Sequence, residues 1–63
     1  MYPNLEAEQA RYGHTEEYVA EKLGITRQTY LERKQSGLFR RSEALILVGM
    51  YDKPVEYLFL PKV

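Results

Sequence analysis

The chain has 63 residues with nine basic and nine acidic side chains, so its formal net charge is zero. This length allows one domain, whose small core rarely supplies more than about 3–5 kcal/mol and often needs support from association. The absence of cysteine excludes disulfides and thiolate metal sites. Because no apolar run approaches about 18 residues and no basic-then-apolar leader occurs, we expect a single cytoplasmic domain over residues 1–63, without a membrane span.

Five short helices are predicted and no segment alternates as a strand does, so the expected fold class is all-α. Helix 1 is predicted from about Pro3 to Tyr12, since proline is tolerated in a first turn, and Gly13 ends it. Thr15 is the predicted N-cap of helix 2. The apolar stripe of helix 2 at helical spacing consists of Val19, Ala20 and Leu23.

A tight corner joins helix 2 to helix 3. Gly24 can adopt the positive φ that ends a helix, and Ile25 fills the corner. Thr26 then caps a helix that is predicted to run from Arg27 to about Gln35. Two helices joined by so short a turn pack at a steep angle, as in a helix-turn-helix, whose second helix lies in the DNA major groove. The sequence therefore predicts such a motif from helices 2 and 3.

Helix 4 is predicted from about Arg41 to Tyr51, and helix 5 from Val55 to Leu60. The expected core stripe of helix 4 consists of Ala44, Leu45, Val48 and Tyr51. Arg40 occupies the N-cap position, where it cannot accept from backbone amides, so we expect the start of helix 4 to fray. Of the aromatic residues, Tyr30, Tyr51 and Tyr57 are predicted to lie in the core, and His14 to be exposed.

Positive charge is concentrated in the middle of the chain. Residues 25–41 carry five cationic side chains against one carboxylate, whereas residues 1–24 carry two against five. The local field governs encounter with phosphate more than the total charge does. This distribution favours a nucleic-acid surface along helix 3 and the loop after it; the alternative is a merely solvated basic segment.

With these elements placed, the chain resembles the phage repressor and Cro-like helix-turn-helix family, also called the XRE family. It is most similar to the short stand-alone members from Gram-positive phages and mobile elements. The similarity spans almost the whole chain and rests on residues 4–8, 19–20, 23–26, 42–45 and 56–59 in their joint order. The resemblance implies a compact five-helix repressor-like domain and a sequence-specific transcriptional regulator, expected to be a repressor that occludes a promoter or is recruited at an operator.

The family pattern implies that helix 3 presents its N-terminal end to DNA. Chemistry supports this, because arginine can pair bidentately with guanine and glutamine with adenine. The expected base-reading residues are Thr26, Arg27, Gln28, Thr29 and Glu32. The expected backbone contacts, several of which have a solvated surface charge as the alternative, are Thr15, Arg33, Lys34, Arg40 and Arg41.

Three positions depart from the family pattern, and one of them is Arg40, which stands where serine or threonine often caps helix 4 while Glu43 remains at the third position of that capping box. Family members often carry glutamine, which bonds a phosphate, where this chain has Glu16. A carboxylate there would repel phosphate unless Arg27 or Lys22 pairs with it, or unless the side chain turns inward to orient its neighbours. Arg33 falls near a position that is usually apolar, so its methylene stem is expected to cover the core while the guanidinium reaches out.

Surplus apolar residues predict a two-fold homodimer, at least on DNA, that reads a symmetric operator. The expected interface residues are Ile46, Met50, Leu60 and Val63; the alternative is that Met50 and Leu60 complete the small core. A second function on the same fold is a protein-interaction module that has lost DNA binding, such as an antirepressor, antitoxin-like partner or assembly factor. Glu16, the acidic first segment and the neutral total charge favour it.

An enzyme is not expected. Glu16 and Glu17 are adjacent on a helix, so they point about 100° apart and cannot form a facing acid/base pair. The sequence has no nucleophile–base pairing, no glycine-rich phosphate loop and no cofactor motif. With one histidine and no cysteine, a metal site is not expected. The chain has no room for a ligand-binding domain, so a small-molecule ligand is not expected either.

Overall fold

The computed structural model describes residues 2–60, which contain five helices joined by short turns and loops. The helices are α1 (Pro3–Arg11), α2 (Glu16–Leu23), α3 (Arg27–Ser36), α4 (Arg41–Tyr51) and α5 (Val55–Leu58). The all-α prediction is confirmed for this range. Helix α5 ends two residues earlier than expected, at Leu58. Within the same range no helix combines the length and the apolar character that crossing a membrane requires.

Helices α2 and α3 begin and end in the same way. The Thr15 hydroxyl accepts a hydrogen bond from the Tyr18 amide, and the Thr26 hydroxyl accepts one from the Thr29 amide, both at 3.1 Å. Such caps each stabilise a helix by about 1 kcal/mol. A glycine with positive φ ends each helix, Gly24 after α2 and Gly37 after α3.

Helix α4 begins at Arg41, as predicted, although the Arg40 side chain caps nothing. The Glu43 carboxylate instead accepts from the Arg40 backbone amide at 3.0 Å. This is the acidic half of a capping box. The expected fraying assumed that this end lacked a capping partner, and Glu43 supplies one.

Every helix contributes between one and three side chains to the core, which consists of Leu5, Val19, Ala20, Leu23, Tyr30, Leu47, Tyr51 and Leu58. Tyr30 and Tyr51 are fully buried, which confirms their prediction, whereas Tyr57 is only partly buried. Phe39 turns inward from the loop between α3 and α4 and packs against this core, while the adjacent Leu38 is 73% exposed.

The buried face of α4 matches the predicted one at Tyr51 and in part at Ala44 and Val48, but not at Leu45. Leu45 is 60% exposed and Leu47 is fully buried, so the face that meets the core runs through Glu43, Leu47 and Tyr51. Residues 44–48 are all apolar, and such a run fixes no helical phase. The observed phase places Glu43 on the buried face, where its carboxylate accepts from Arg33 of α3.

Candidate nucleic-acid interface

The N-terminal end of α3 presents polar side chains to solvent. Arg27 and Gln28 are exposed, and within residues 2–60 no carboxylate forms an ion pair with Arg27. Gln28 donates to Glu32 one turn further along, at 3.4 Å. Because this hydrogen bond is long and solvent-exposed, both groups can exchange it for another partner at little cost.

Two of the predicted base-reading residues are engaged with each other. The Thr26 hydroxyl accepts from the Thr29 amide and lies 2.9 Å from the Thr29 hydroxyl, to which it donates. These threonines therefore build the first turn of α3. Thr26 remains exposed and Thr29 is partly buried, so they flank the exposed pair Arg27 and Gln28.

Lys34 is buried, although the sequence predicted it on the surface that contacts the DNA backbone. The residue is 4% exposed, and its ammonium donates to Glu16 at 2.7 Å and to Glu6 at 2.9 Å. The ammonium also lies 4.9 Å from the centre of the Tyr30 ring. An ammonium enclosed by two carboxylates has no room for a phosphate. The expectation that Lys34 contacts the DNA backbone is therefore corrected.

The same contact settles the orientation of Glu16. The sequence left open an outward carboxylate paired with Arg27 or Lys22, or an inward orienting role. The carboxylate points to Lys34, whose hydrogen bond lowers the pKa of Glu16 against the opposing effect of burial. Glu16 is thus ionised and engaged with α3.

Arg33 likewise connects helices. Its Nε donates to Glu43 Oε1 at 3.0 Å and its Nη2 donates to Oε2 at 3.4 Å, a two-pronged pairing of guanidinium and carboxylate. Burial opposes ionisation of Glu43, but the hydrogen bonds from Arg33 and from the Arg40 amide outweigh it and lower its pKa. The guanidinium was expected to reach outward to phosphate; it instead joins α3 to α4.

The remaining predicted backbone contacts are accessible. Arg40 and Arg41 are exposed at the start of α4, and no ion pair in the described range 2–60 uses either guanidinium. Thr15 is exposed at the start of α2, where its hydroxyl oxygen caps the helix and its hydrogen can still be donated. The structure thus leaves Thr15, Arg40 and Arg41 of the five expected backbone contacts available.

A cluster of aromatic rings lies beside α2 and was not predicted from the sequence. His14 was expected to be exposed, but it is partly buried, with Nδ1 3.0 Å from the Tyr51 hydroxyl. Its ring centre lies 4.4 Å from that of Tyr18 and 5.7 Å from that of Tyr12. Burial raises the pKa of Tyr51 to about 12. Among residues 2–60 no group of three His, Asp or Glu side chains has the arrangement of a metal site.

The predicted dimer residues divide into three groups. Ile46 is 39% exposed and Leu60 is 53% exposed. Met50 is partly buried and packs against the core, which agrees with the alternative that it completes that core. Val63 lies outside the described residues.

Comparisons with protein-family models, with curated proteins and with solved structures find no match.

Proposed function

We propose that this protein is a sequence-specific duplex DNA-binding transcriptional regulator, acting as a repressor, with α2, the Gly24 corner and α3 as its helix-turn-helix. One observation carries the proposal: the first turn of α3 holds Arg27 and Gln28 exposed while Tyr30, on the same helix, is fully buried. The helix is therefore anchored on one side and offers bidentate hydrogen-bonding groups on the other, as major-groove reading requires.

The corner before α3 supports the proposal because it is rigid. The amide of Ile25 donates to the Ala20 carbonyl at 3.0 Å, and the amide of Gly24 donates to Glu21 at 3.1 Å. These bonds close a Schellman-type end, and Thr26 caps α3 immediately afterwards. A side chain that reads a base edge must be held in place beforehand, since ordering it on binding weakens affinity.

Backbone contacts in this proposal come from Arg40 and Arg41, with Thr15 at the start of α2. Contacts of this kind fix the register of a protein on the duplex and carry no sequence information directly. Two copies on a two-fold symmetric operator would double these few contacts, and we include a homodimer on DNA in the proposal.

Selection of bound DNA from a random duplex pool tests the function. We expect enrichment of one motif with two-fold symmetry. The Arg27→Gln variant should lose discrimination at one guanine by about 1–3 kcal/mol. Lys22→Gln is the matched control, because it removes one exposed cation from the preceding helix without touching the proposed reading residues. A pool that yields no motif, or equal effects of the two variants, would contradict sequence-specific reading.

A protein-interaction module is the second candidate, and one surface feature favours it. Glu17, Tyr18, Glu21 and Ile25 line an open groove on the outer side of α2 that reaches Arg27. A groove with two carboxylates suits a basic protein segment better than a phosphate backbone. Binding to random duplex DNA discriminates between the candidates, because phosphate contacts give a steep negative salt dependence and a protein adaptor gives no binding at all.

A further inference from the structure

One buried cation connects three helices. The Lys34 ammonium of α3 lies between Glu6 of α1, at 2.9 Å, and Glu16 of α2, at 2.7 Å. The lysine side chain is 6% exposed, whereas the two glutamates are 42% and 30% exposed. Each carboxylate therefore keeps part of its hydration, whereas the ammonium has lost most of its own and is stabilised by the two carboxylates. We call this arrangement the Lys34 clamp.

Stability alone does not explain such a clamp. Removing a buried cation from water carries a large desolvation penalty, and replacing a buried ion pair by apolar side chains of similar volume is often neutral or stabilising. Ionic hydrogen bonds are, however, directional, whereas apolar contacts between helices tolerate sliding and tilting. Two other directional contacts hold α3: the Tyr30 hydroxyl donates to Gln9 of α1 at 2.8 Å, and Arg33 pairs with Glu43 of α4. The clamp adds a directional contact with α2, through Glu16, which neither of these pairs supplies.

We propose that Lys34 is a positioning residue, whose contacts with Glu6 and Glu16 set the angle of α3 against α1 and α2 and so direct Arg27 and Gln28. The consequence for DNA reading rests on the proposed function; the consequence for helix geometry does not.

The distance between Lys34 and Arg27 along α3 makes the position of Arg27 sensitive to the tilt of the helix. Lys34 lies seven residues after Arg27, which is about 10 Å along the helix axis at 1.5 Å per residue. A tilt of about 10–20° about one of these positions moves the other by roughly 2–4 Å. Binding constellations tolerate errors of only about 0.5 Å. A tilt of α3 by about 10° at the clamp therefore displaces its N-terminal end, which carries Arg27, by more than a binding site tolerates.

The test removes the charges of the clamp together, so that none is left buried without a partner. The variant combines Lys34→Met, Glu6→Gln and Glu16→Gln, which changes the net charge by one positive unit. Glu21→Gln is the matched control, because it makes the same net change at an exposed position of α2 outside the clamp. Glu16→Gln alone reduces the contact with α2 from an ion pair to a hydrogen bond with a neutral acceptor and keeps the Glu6 contact, and it serves if the triple variant does not fold.

Two readouts are needed, and the first uses no DNA. Residual dipolar couplings of backbone amides report the orientation of α3 relative to α1 and α2. We expect a reorientation of about 10° or more in the triple variant, a smaller one in Glu16→Gln, and none in Glu21→Gln. Unchanged orientation in a folded triple variant would overturn the proposal and leave the clamp a purely stabilising role.

The second readout is the ratio of affinities for the selected motif and for random duplex, measured where circular dichroism shows each variant folded. We expect this ratio to fall at least about tenfold in the triple variant and to stay unchanged in Glu21→Gln. A reoriented α3 with an unchanged ratio would refute the link to reading. If the wild-type protein binds no duplex, the proposed function fails, while the orientation data still decide the role of Lys34.

Discussion

For the proposed DNA binding, the exposed cations predict how steeply the affinity for a duplex falls with salt concentration. Each phosphate neutralised on duplex DNA contributes a slope of about −0.9 to a plot of log affinity against log salt concentration. With Arg40 and Arg41 as the cationic backbone contacts, the expected slope is about −1.8 per protomer and about −3.6 for a two-fold dimer. The larger set predicted from sequence, with Arg33 and Lys34 included, gives twice these values. The two sets are therefore separable by experiment.

Two matched substitutions sharpen the measurement. Arg41→Gln removes an exposed cation and should flatten the slope by about 0.9 per protomer while weakening all sequences alike. Arg33→Gln removes a cation that is paired with Glu43 and should leave the slope unchanged. Fluorescence anisotropy with a labelled duplex between about 50 and 200 mM salt gives the slope for each variant. Urea unfolding identifies conditions in which both variants are folded.

Equal flattening of the salt slope by Arg41→Gln and Arg33→Gln would refute this reasoning. It would mean that Arg33 leaves Glu43 and neutralises a phosphate when DNA binds. A wild-type dimer slope near −7 would point the same way, because about eight phosphates would then be neutralised and all four cations would be in use.

Three further predictions concern reading, acid stability and helix ends. Gln28→Ala should lose about 1–3 kcal/mol of discrimination at one base pair, measured by competition with single-site operator variants. Folding lowers the pKa of Glu43 from 4.5. The ionised carboxylate therefore stabilises the fold above pH 4.5, and this contribution is lost as pH falls through the lower pKa of the folded protein. In thermal melts, Glu43→Gln should reduce the fall in melting temperature at acidic pH. Gly37→Ala should destabilise the fold more than Gly24→Ala, by chemical denaturation. Both glycines have positive φ, which disfavours alanine by about 1–2 kcal/mol, but only at Gly37 does an added Cβ approach the Tyr2 hydroxyl, to 2.7 Å.

Local signals located the helices well. Thr15 and Thr26 cap their helices through bonds to an amide three residues later, and Gly24 and Gly37 follow those helices with positive φ. These devices act within one helical turn, so their residue types are readable without knowledge of the fold. The bounds of α4 were likewise predicted at both ends.

Contacts between distant segments were not readable in the same way. Lys34 and Arg33 lie in a basic segment and resemble surface cations, but their carboxylate partners come from other helices. The position of Lys34, four residues after Tyr30, puts both side chains on one face of α3. Burial of that face was predicted, but burial of a lysine on it requires partners at the right distance. Leu45 of α4 was wrongly predicted to face the core for a related reason. The apolar run of residues 44–48 allowed several faces, and the observed one buries Leu47 and brings Glu43 to Arg33.

These interhelical pairs also change what the neutral total charge means. Lys34 and Arg33 are withdrawn from the basic segment, but they engage three carboxylates: Glu6, Glu16 and Glu43. These contacts therefore hold three negative charges against two positive ones, so the charged groups outside them carry one net positive charge, against a total of zero. Glu6 and Glu16 nevertheless remain 42% and 30% exposed. The neutral total charge is one of the three features that favour a protein-interaction module over a nucleic-acid partner. Once these pairs are counted, that argument weakens. A duplex would meet the exposed Arg27, Arg40 and Arg41 together with the exposed carboxylates of Glu17, Glu21 and Glu32.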